Sequence, residues 1–103
     1  MSRTGLYSED EWIVLLYYFL NRPEPAQTDS HQALQDFALV LGRTPGSVDA
    51  SMRNIKAYVS GPGFPHGSSV MRSVVDQYRG QSAQLRHAAQ AALHRINPGA
   101  SLP

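Results

Sequence analysis

The sequence predicts an all-α domain of five helices, on three grounds. Apolar residues recur at spacings of three and four in five separate segments. Those segments are bounded by helix-start and helix-stop signals, and nowhere do apolar and polar residues alternate with the period of a strand. At 103 residues the chain has the length of one domain, and its 42% hydrophobic and 17% charged residues fall in the ordinary globular range. No apolar run approaches the ~20 residues of a membrane helix. The first residues lack the apolar stretch of a secretory signal, and without cysteine there is no disulfide, thiolate metal site or cysteine nucleophile. These features point to a bacterial-type cytoplasm.

The first helix begins at a capping box, Ser8 with Glu11 three residues on, and runs over 9–21 until "NRPEP" stops it. Trp12, Ile13, Leu15, Leu16, Phe19 and Leu20 give it an apolar face, with Tyr17 and Tyr18 expected at the core edge and their hydroxyls in water. The second helix follows a loop, with Asp29 or Ser30 as cap and Leu34, Phe37, Ala38 and Leu41 inward. Gly42 supplies a positive-φ C-terminal cap, and Thr44 and Pro45 at once provide the N-cap and first-turn residue of a third helix. The result is a tight helix-turn-helix. Val48, Met52, Ile55 and Val59 form the buried stripe of the third helix, and "SGPGFPHGSS" ends it in an irregular loop. Ser69 can cap a fourth helix with Val70, Val74, Val75 and Tyr78 inward. The alanine-rich fifth buries Leu85, Ala89, Ala92, Leu93 and Ile96. The whole of 1–103 therefore reads as a single domain, with a trihelical core over 7–60, a Gly/Pro loop over 61–69 and two C-terminal helices over 70–96.

Charge is distributed unevenly. Residues 1–42 carry two arginines against six carboxylates, a net of −4, whereas residues 43–103 carry seven cations against two carboxylates, a net of +5. Eight of the nine cations are arginine, the side chain best suited to bidentate contacts with phosphate and guanine.

The outward side of the third helix is unlike an ordinary solvent face. Gly46, Ala50 and Ala57 form a flat ridge that permits close approach, and Arg53 and Asn54 are side-chain types that read guanine and adenine edges in the major groove. Arg43 at the turn and Lys56 on the flank are expected to meet phosphates, with the backbone N–H groups of Gly46 and Ser47 adding a further anion contact. Ala50, Ala57 and the loop residue Phe64 are candidates for apolar contact with a base methyl group, and Phe64 with His66 for insertion into a groove. The candidate DNA-contacting set is thus Arg43, Thr44, Gly46, Ser47, Ala50, Ser51, Arg53, Asn54, Lys56, Ala57, Phe64 and His66.

"YSEDEWIVLLYYFL", "LGRTPGSV", "RNI" and "SSVMRSVVDQYRGQSAQL" together resemble the domain at the N-terminus of many bacterial HNH endonucleases, over roughly residues 5–95. "LGRTPGSV" and Asn54 match best; where that family commonly opens its first helix with tryptophan-threonine, this chain has Tyr7 and Ser8. More distantly the chain resembles Myb-like three-helix domains. Both likenesses imply binding of double-stranded DNA. The first implies a restriction enzyme directed at methylated or hydroxymethylated cytosine, with a nuclease domain beyond this chain. The family's own chemistry has no counterpart here. An HNH site gathers metal-binding histidines on a ββα frame, whereas His31, His66, His87 and His94 are scattered, and His87 and His94, seven apart, lie roughly 10 Å from each other along a helix. No catalytic residue, metal or cofactor is expected. The rival expectation is a helical interaction or dimerisation module that packs the third-helix ridge or the fifth helix on another protein or on a second copy.

Overall fold

The computed structural model describes residues 6–21, 32–61 and 68–102, and among these the secondary structure is entirely helical: α1 (Glu9–Asn21), α2 (Gln32–Leu41), α3 (Pro45–Ser60), α4 (Ser69–Tyr78) and α5 (Ser82–Ile96). None of the helices is long and apolar enough to cross a membrane among the described residues.

α1 occupies the centre. Its capping box forms as the spacing requires: the Ser8 N–H donates to Glu11 Oε1 at 3.0 Å and the Glu11 N–H donates to Ser8 Oγ at 3.1 Å. Every residue from Glu11 to Tyr18 is buried, so the helix is enclosed on all sides rather than along one stripe. α5 runs against it, and α3 and α4 also pack on it. The expectation of tyrosines at the core edge is corrected. Tyr17 and Tyr18 are 5% and 3% exposed. The Tyr18 ring stacks on Phe37 of α2 with centroids 4.0 Å apart, and the Tyr17 hydroxyl accepts a hydrogen bond from Arg86 Nη1 of α5 at 2.9 Å. α2 thus helps to enclose Tyr18, and α5 reaches Tyr17. Leu20, one turn beyond, is instead exposed.

The inward residues of α2 are buried as their spacing predicts, and so are Leu85, Ala89, Ala92 and Leu93 of α5, where alanine lets the helix approach α1 closely. Beyond α5, the Asn97 side-chain amide donates to the Val40 carbonyl at 3.2 Å, satisfying one of the open carbonyls at the end of α2. In α4 the cap is Ser68 rather than Ser69: its Oγ accepts from the Val70 and Met71 N–H groups at 3.2 and 3.3 Å. The buried stripe is Met71, Val74 and Val75, with Tyr78 half-buried and Val70 turned outward. α4 meets α3 on its Tyr58 side, where the Tyr58 hydroxyl donates to Asp76, and Val59 at the end of α3 is left exposed.

The α2–α3 connection spans only Gly42, Arg43 and Thr44. The Arg43 N–H donates to the Ala38 carbonyl at 3.0 Å and the Gly42 N–H to the Leu39 carbonyl at 3.1 Å, the paired bonds of a Schellman cap, with Gly42 at φ 72°. Only glycine holds that φ without strain. Gly61, which ends α3 at φ −139°, has no such requirement. In urea denaturation Gly42→Ala is expected to lower the unfolding free energy by about 1–2 kcal/mol, while Gly61→Ala stays within about 0.5 kcal/mol of the parent. Equal effects at the two positions would contradict this account of the turn.

Candidate functional site

α3 starts at a fixed point. Thr44 is the N-cap at φ −77° and ψ 151°, its Oγ1 accepts from the Ser47 N–H at 3.2 Å, and Pro45 takes the first helical position. The Ser47 hydroxyl lies 2.7 Å from the Tyr7 hydroxyl, so both polar groups of Ser47 already have internal partners. This departs from the expectation that the Ser47 N–H would be open to an anion.

Arg43 departs further. The residue is 5% exposed, and its guanidinium grips Glu11 of α1 bidentately, Nε to Oε2 at 2.6 Å and Nη2 to Oε1 at 2.8 Å. Nη2 also donates to the Leu6 carbonyl at 3.0 Å, and the guanidinium carbon lies 4.0 Å from the centroid of the Tyr7 ring, which in turn packs against Trp12. The expectation that Arg43 meets phosphate is therefore corrected: every face of its charged group is turned into the protein. The physical reason is that the capping carboxylate of α1, already accepting from Ser8, faces the α2–α3 turn and needs a cation when buried. Ser51 is corrected too. It is 7% exposed and belongs to the inward stripe with Val48, Met52 and Ile55.

The rest of the outward set stands where the helical spacing puts it. Gly46, Ala50, Arg53, Asn54 and Lys56 are exposed along α3, as is Thr44 before it, and Ala57 is half-buried. Among the described residues the ridge is open at Gly46, Ala50, Arg53 and Asn54 and partly closed at Ala57. Phe64 and His66 lie outside the described residues, as do His31 and the expected caps Asp29 and Ser30. His87 and His94 are exposed on α5, and no group of three His, Asp or Glu side chains among the described residues could hold a metal ion.

Folding consumes much of the charge asymmetry. Glu11–Arg43 and Asp10–Arg95 join acids of the first half to arginines of the second, and Arg53–Asp49 and Arg79–Asp76 pair within α3 and at the end of α4. The cations with no carboxylate at ion-pair distance among the described residues are Lys56, Arg72 and Arg86, and Arg86 is engaged with Tyr17. Two residues that matter to this site, Tyr7 and Asp49, were not among the expected contacts. Asp49 stands four positions before Arg53, a helical ion-pair spacing legible in the sequence. No protein family, curated protein or solved structure is significantly similar to the chain.

Removing one partner of a buried ion pair strands the other, so Arg43→Met and Glu11→Gln should each lower stability by about 3–5 kcal/mol, and the double substitution should recover much of that loss. Burial is the largest single influence on the Glu11 carboxyl and pushes its pKa up, but the hydrogen bonds from Arg43 and Ser8 together with the Arg43 charge hold it below its ordinary 4.5. A carboxylate depressed in the folded state contributes its full stabilisation above the unfolded value and loses it as pH falls below that value. Asp10, lowered chiefly by its hydrogen bond from Arg95, acts in the same direction. Thermal unfolding followed from pH 7 to pH 3 should show the parent losing stability below about pH 4.5, and Glu11→Gln should flatten that fall.

Proposed function

We propose that this chain is a double-stranded DNA-binding module in which α2, the turn and α3 act as a helix-turn-helix and α3 enters the major groove. The observation that supports this reading is the open ridge of α3, where glycine and alanine leave room for a groove wall and Arg53, Asn54 and Lys56 stand exposed beside them. Arg53 and Asn54 address base edges and Lys56 a phosphate. Arg43 has no part in contact with DNA; it holds the turn from which α3 projects. The likeness of "LGRTPGSV" and Asn54 to the N-terminal domains of HNH endonucleases suggests the setting: target recognition for a restriction enzyme that reads modified cytosine, with Ala50 and Ala57 against the added methyl or hydroxymethyl group.

A second reading rests on the same surface. The bare ridge of Gly46 and Ala50 would also let α3 pack closely on another protein or a second copy of this chain. Salt separates the two. Binding of a labelled duplex, with and without 5-methylcytosine, is expected to weaken between about 50 and 200 mM salt with a shallow slope of about 1 to 2, as few neutralised phosphates imply, whereas an apolar protein interface would not. Lys56→Ala should reduce the salt slope by about 1 and weaken all duplexes alike, while Arg53→Ala should cost roughly 1–3 kcal/mol on the preferred duplex and relax its base preference. No retardation of any duplex at low salt overturns the reading. Equal affinity for methylated and unmethylated duplexes overturns the modification-reading part alone.

A further inference from the structure

Tyr58 ties the last turns of α3 to α4. Its hydroxyl donates to both oxygens of Asp76, at 3.0 Å each. Arg79, three positions beyond Asp76, donates from Nη2 to Asp76 Oδ1 at 3.3 Å, and its guanidinium carbon lies 6.0 Å from the centroid of the Tyr58 ring. The Asp76 carboxylate is thereby engaged by one side chain of α3 and one from the end of α4. Arg72 stands one turn before Asp76, at the spacing of a helical ion pair, but no carboxylate among the described residues lies within ion-pair distance of it. Half-buried, it is the cation that α4 leaves uncompensated. It lies close to Tyr58: the hydroxyl's pKa is raised above its ordinary 10.0, first by the hydrogen bond to Asp76, and the charges of Arg79 and Arg72 act on it in the opposite sense.

This arrangement puts a cation on the flank of α3 that Lys56 does not occupy. Lys56 follows Arg53 by three positions and Tyr58 follows Asn54 by four, so each stands beside one edge of the open ridge. Two positions apart on a helix, Lys56 and Tyr58 are separated by about 160° of rotation. They mark opposite flanks. A helix lying in a major groove has a phosphate backbone on either side of it, the two walls about 12 Å apart, and contacts to both fix its orientation more firmly than contacts to one. On α3 the exposed cation without a carboxylate partner is Lys56, which serves one wall. The Tyr58–Asp76 hydrogen bonds hold α4 against the other flank, where Asp76 and Arg79 offset each other and the charge of Arg72 remains.

We infer that Arg72 is a phosphate-binding residue that meets the backbone on the wall of the groove opposite the one Lys56 meets, so that the surface for a DNA duplex extends from α3 onto α4. This rests on the reading of α3 as a groove-entering helix, and the experiment separates the two. One labelled duplex of about 20 base pairs, two helical turns, is titrated across about 50 to 200 mM salt with the parent chain, Arg72→Gln, Arg72→Lys, Lys56→Ala and Arg95→Gln. The parent is expected to show a slope of about 2, roughly one for each cation that neutralises a phosphate, and Arg72→Gln and Lys56→Ala each a slope of about 1. Arg72→Lys keeps the parent's slope, because a point charge suffices for a phosphate. Arg95→Gln, which removes an arginine paired with Asp10, leaves it unchanged. The same duplex, lightly ethylated at its phosphates before binding, shows which phosphates the chain needs. Ethylation is expected to block the parent on both strands, Arg72→Gln on one strand only, and Lys56→Ala on the other only. Circular dichroism identifies any variant that does not fold, and the parent's own ethylation pattern then carries the test. A slope that Lys56→Ala lowers and Arg72→Gln does not, or a parent blocked on one strand only, overturns this inference alone. A slope lowered as much by Arg95→Gln overturns it in favour of general positive charge. Failure of the parent to retain the duplex at any salt overturns the reading of α3 as well.

Discussion

The structure depends on one buried ion pair. Glu11 and Arg43 are each almost wholly enclosed and each has several partners: the carboxylate two arginine nitrogens and the Ser8 amide, the guanidinium that carboxylate, the Leu6 carbonyl and the face of Tyr7. Enclosing two charges costs several kcal/mol for each ion before their attraction is counted, so such a pair is tolerated only where every remaining donor and acceptor is met. A hydrophobic pair of the same volume could stabilise the fold as well. What the fork adds is direction, because two parallel N–H bonds to one carboxylate fix the turn against the start of α1 in a single orientation.

That orientation propagates into α3. Between the Schellman cap of α2 and the Thr44 cap of α3 there is no spare residue, so whatever fixes Arg43 fixes the first turn of α3 within a residue or two. The Tyr7–Ser47 hydroxyl contact adds a second tie on the same side. Val48, Ser51, Met52 and Ile55 then face inward and Gly46, Ala50, Arg53 and Asn54 outward, with little freedom to rotate between those states. The first turn of α1 has a double role here. Its three acids lie where the helix dipole favours negative charge, and two of them, Asp10 and Glu11, reach arginines from the other half of the chain. The contrast between an acidic first half and a basic second half is to this extent the signature of an internal seam.

Much of this was legible in the residues, and what was not has identifiable causes. The bounds of α1 follow from Ser8, Glu11 and the prolines after Asn21, and the α2–α3 turn from Gly42, Thr44 and Pro45, because caps and breakers are local chemistry. The exposure of the α3 ridge follows from a 100° step per residue. Periodicity names a side, however, and not a partner. An arginine in a short turn looks solvated until the carboxylate 32 residues away is brought beside it. Tyr17 and Tyr18 sit off the main stripe of α1 and are enclosed by the helices that assemble around it, with α5 reaching Tyr17 and α2 stacking on Tyr18. In α4 the cap is Ser68, one residue before the expected Ser69, and the buried stripe is the i, i+3, i+4 set Met71, Val74 and Val75, off which Val70 falls.

The same distinction bears on what the open face of α3 can do. A surface selected for electrostatic grip accumulates unpaired lysine and arginine, since each phosphate neutralised adds affinity regardless of sequence. Here the arginines near the turn and on α3 are committed, Arg43 to the interior and Arg53 to Asp49, and a single lysine is left to draw a polyanion. A face so sparing of free charge gains little from contact with a backbone alone. On the proposed reading of α3, shape and the placement of a few polar groups would carry its discrimination, and both are set by how the turn holds the helix. The two ion pairs differ in what they constrain: the buried Glu11–Arg43 fork ties the start of α3 to α1, while the exposed Asp49–Arg53 pair, one helical turn apart on α3, balances charge on its open side.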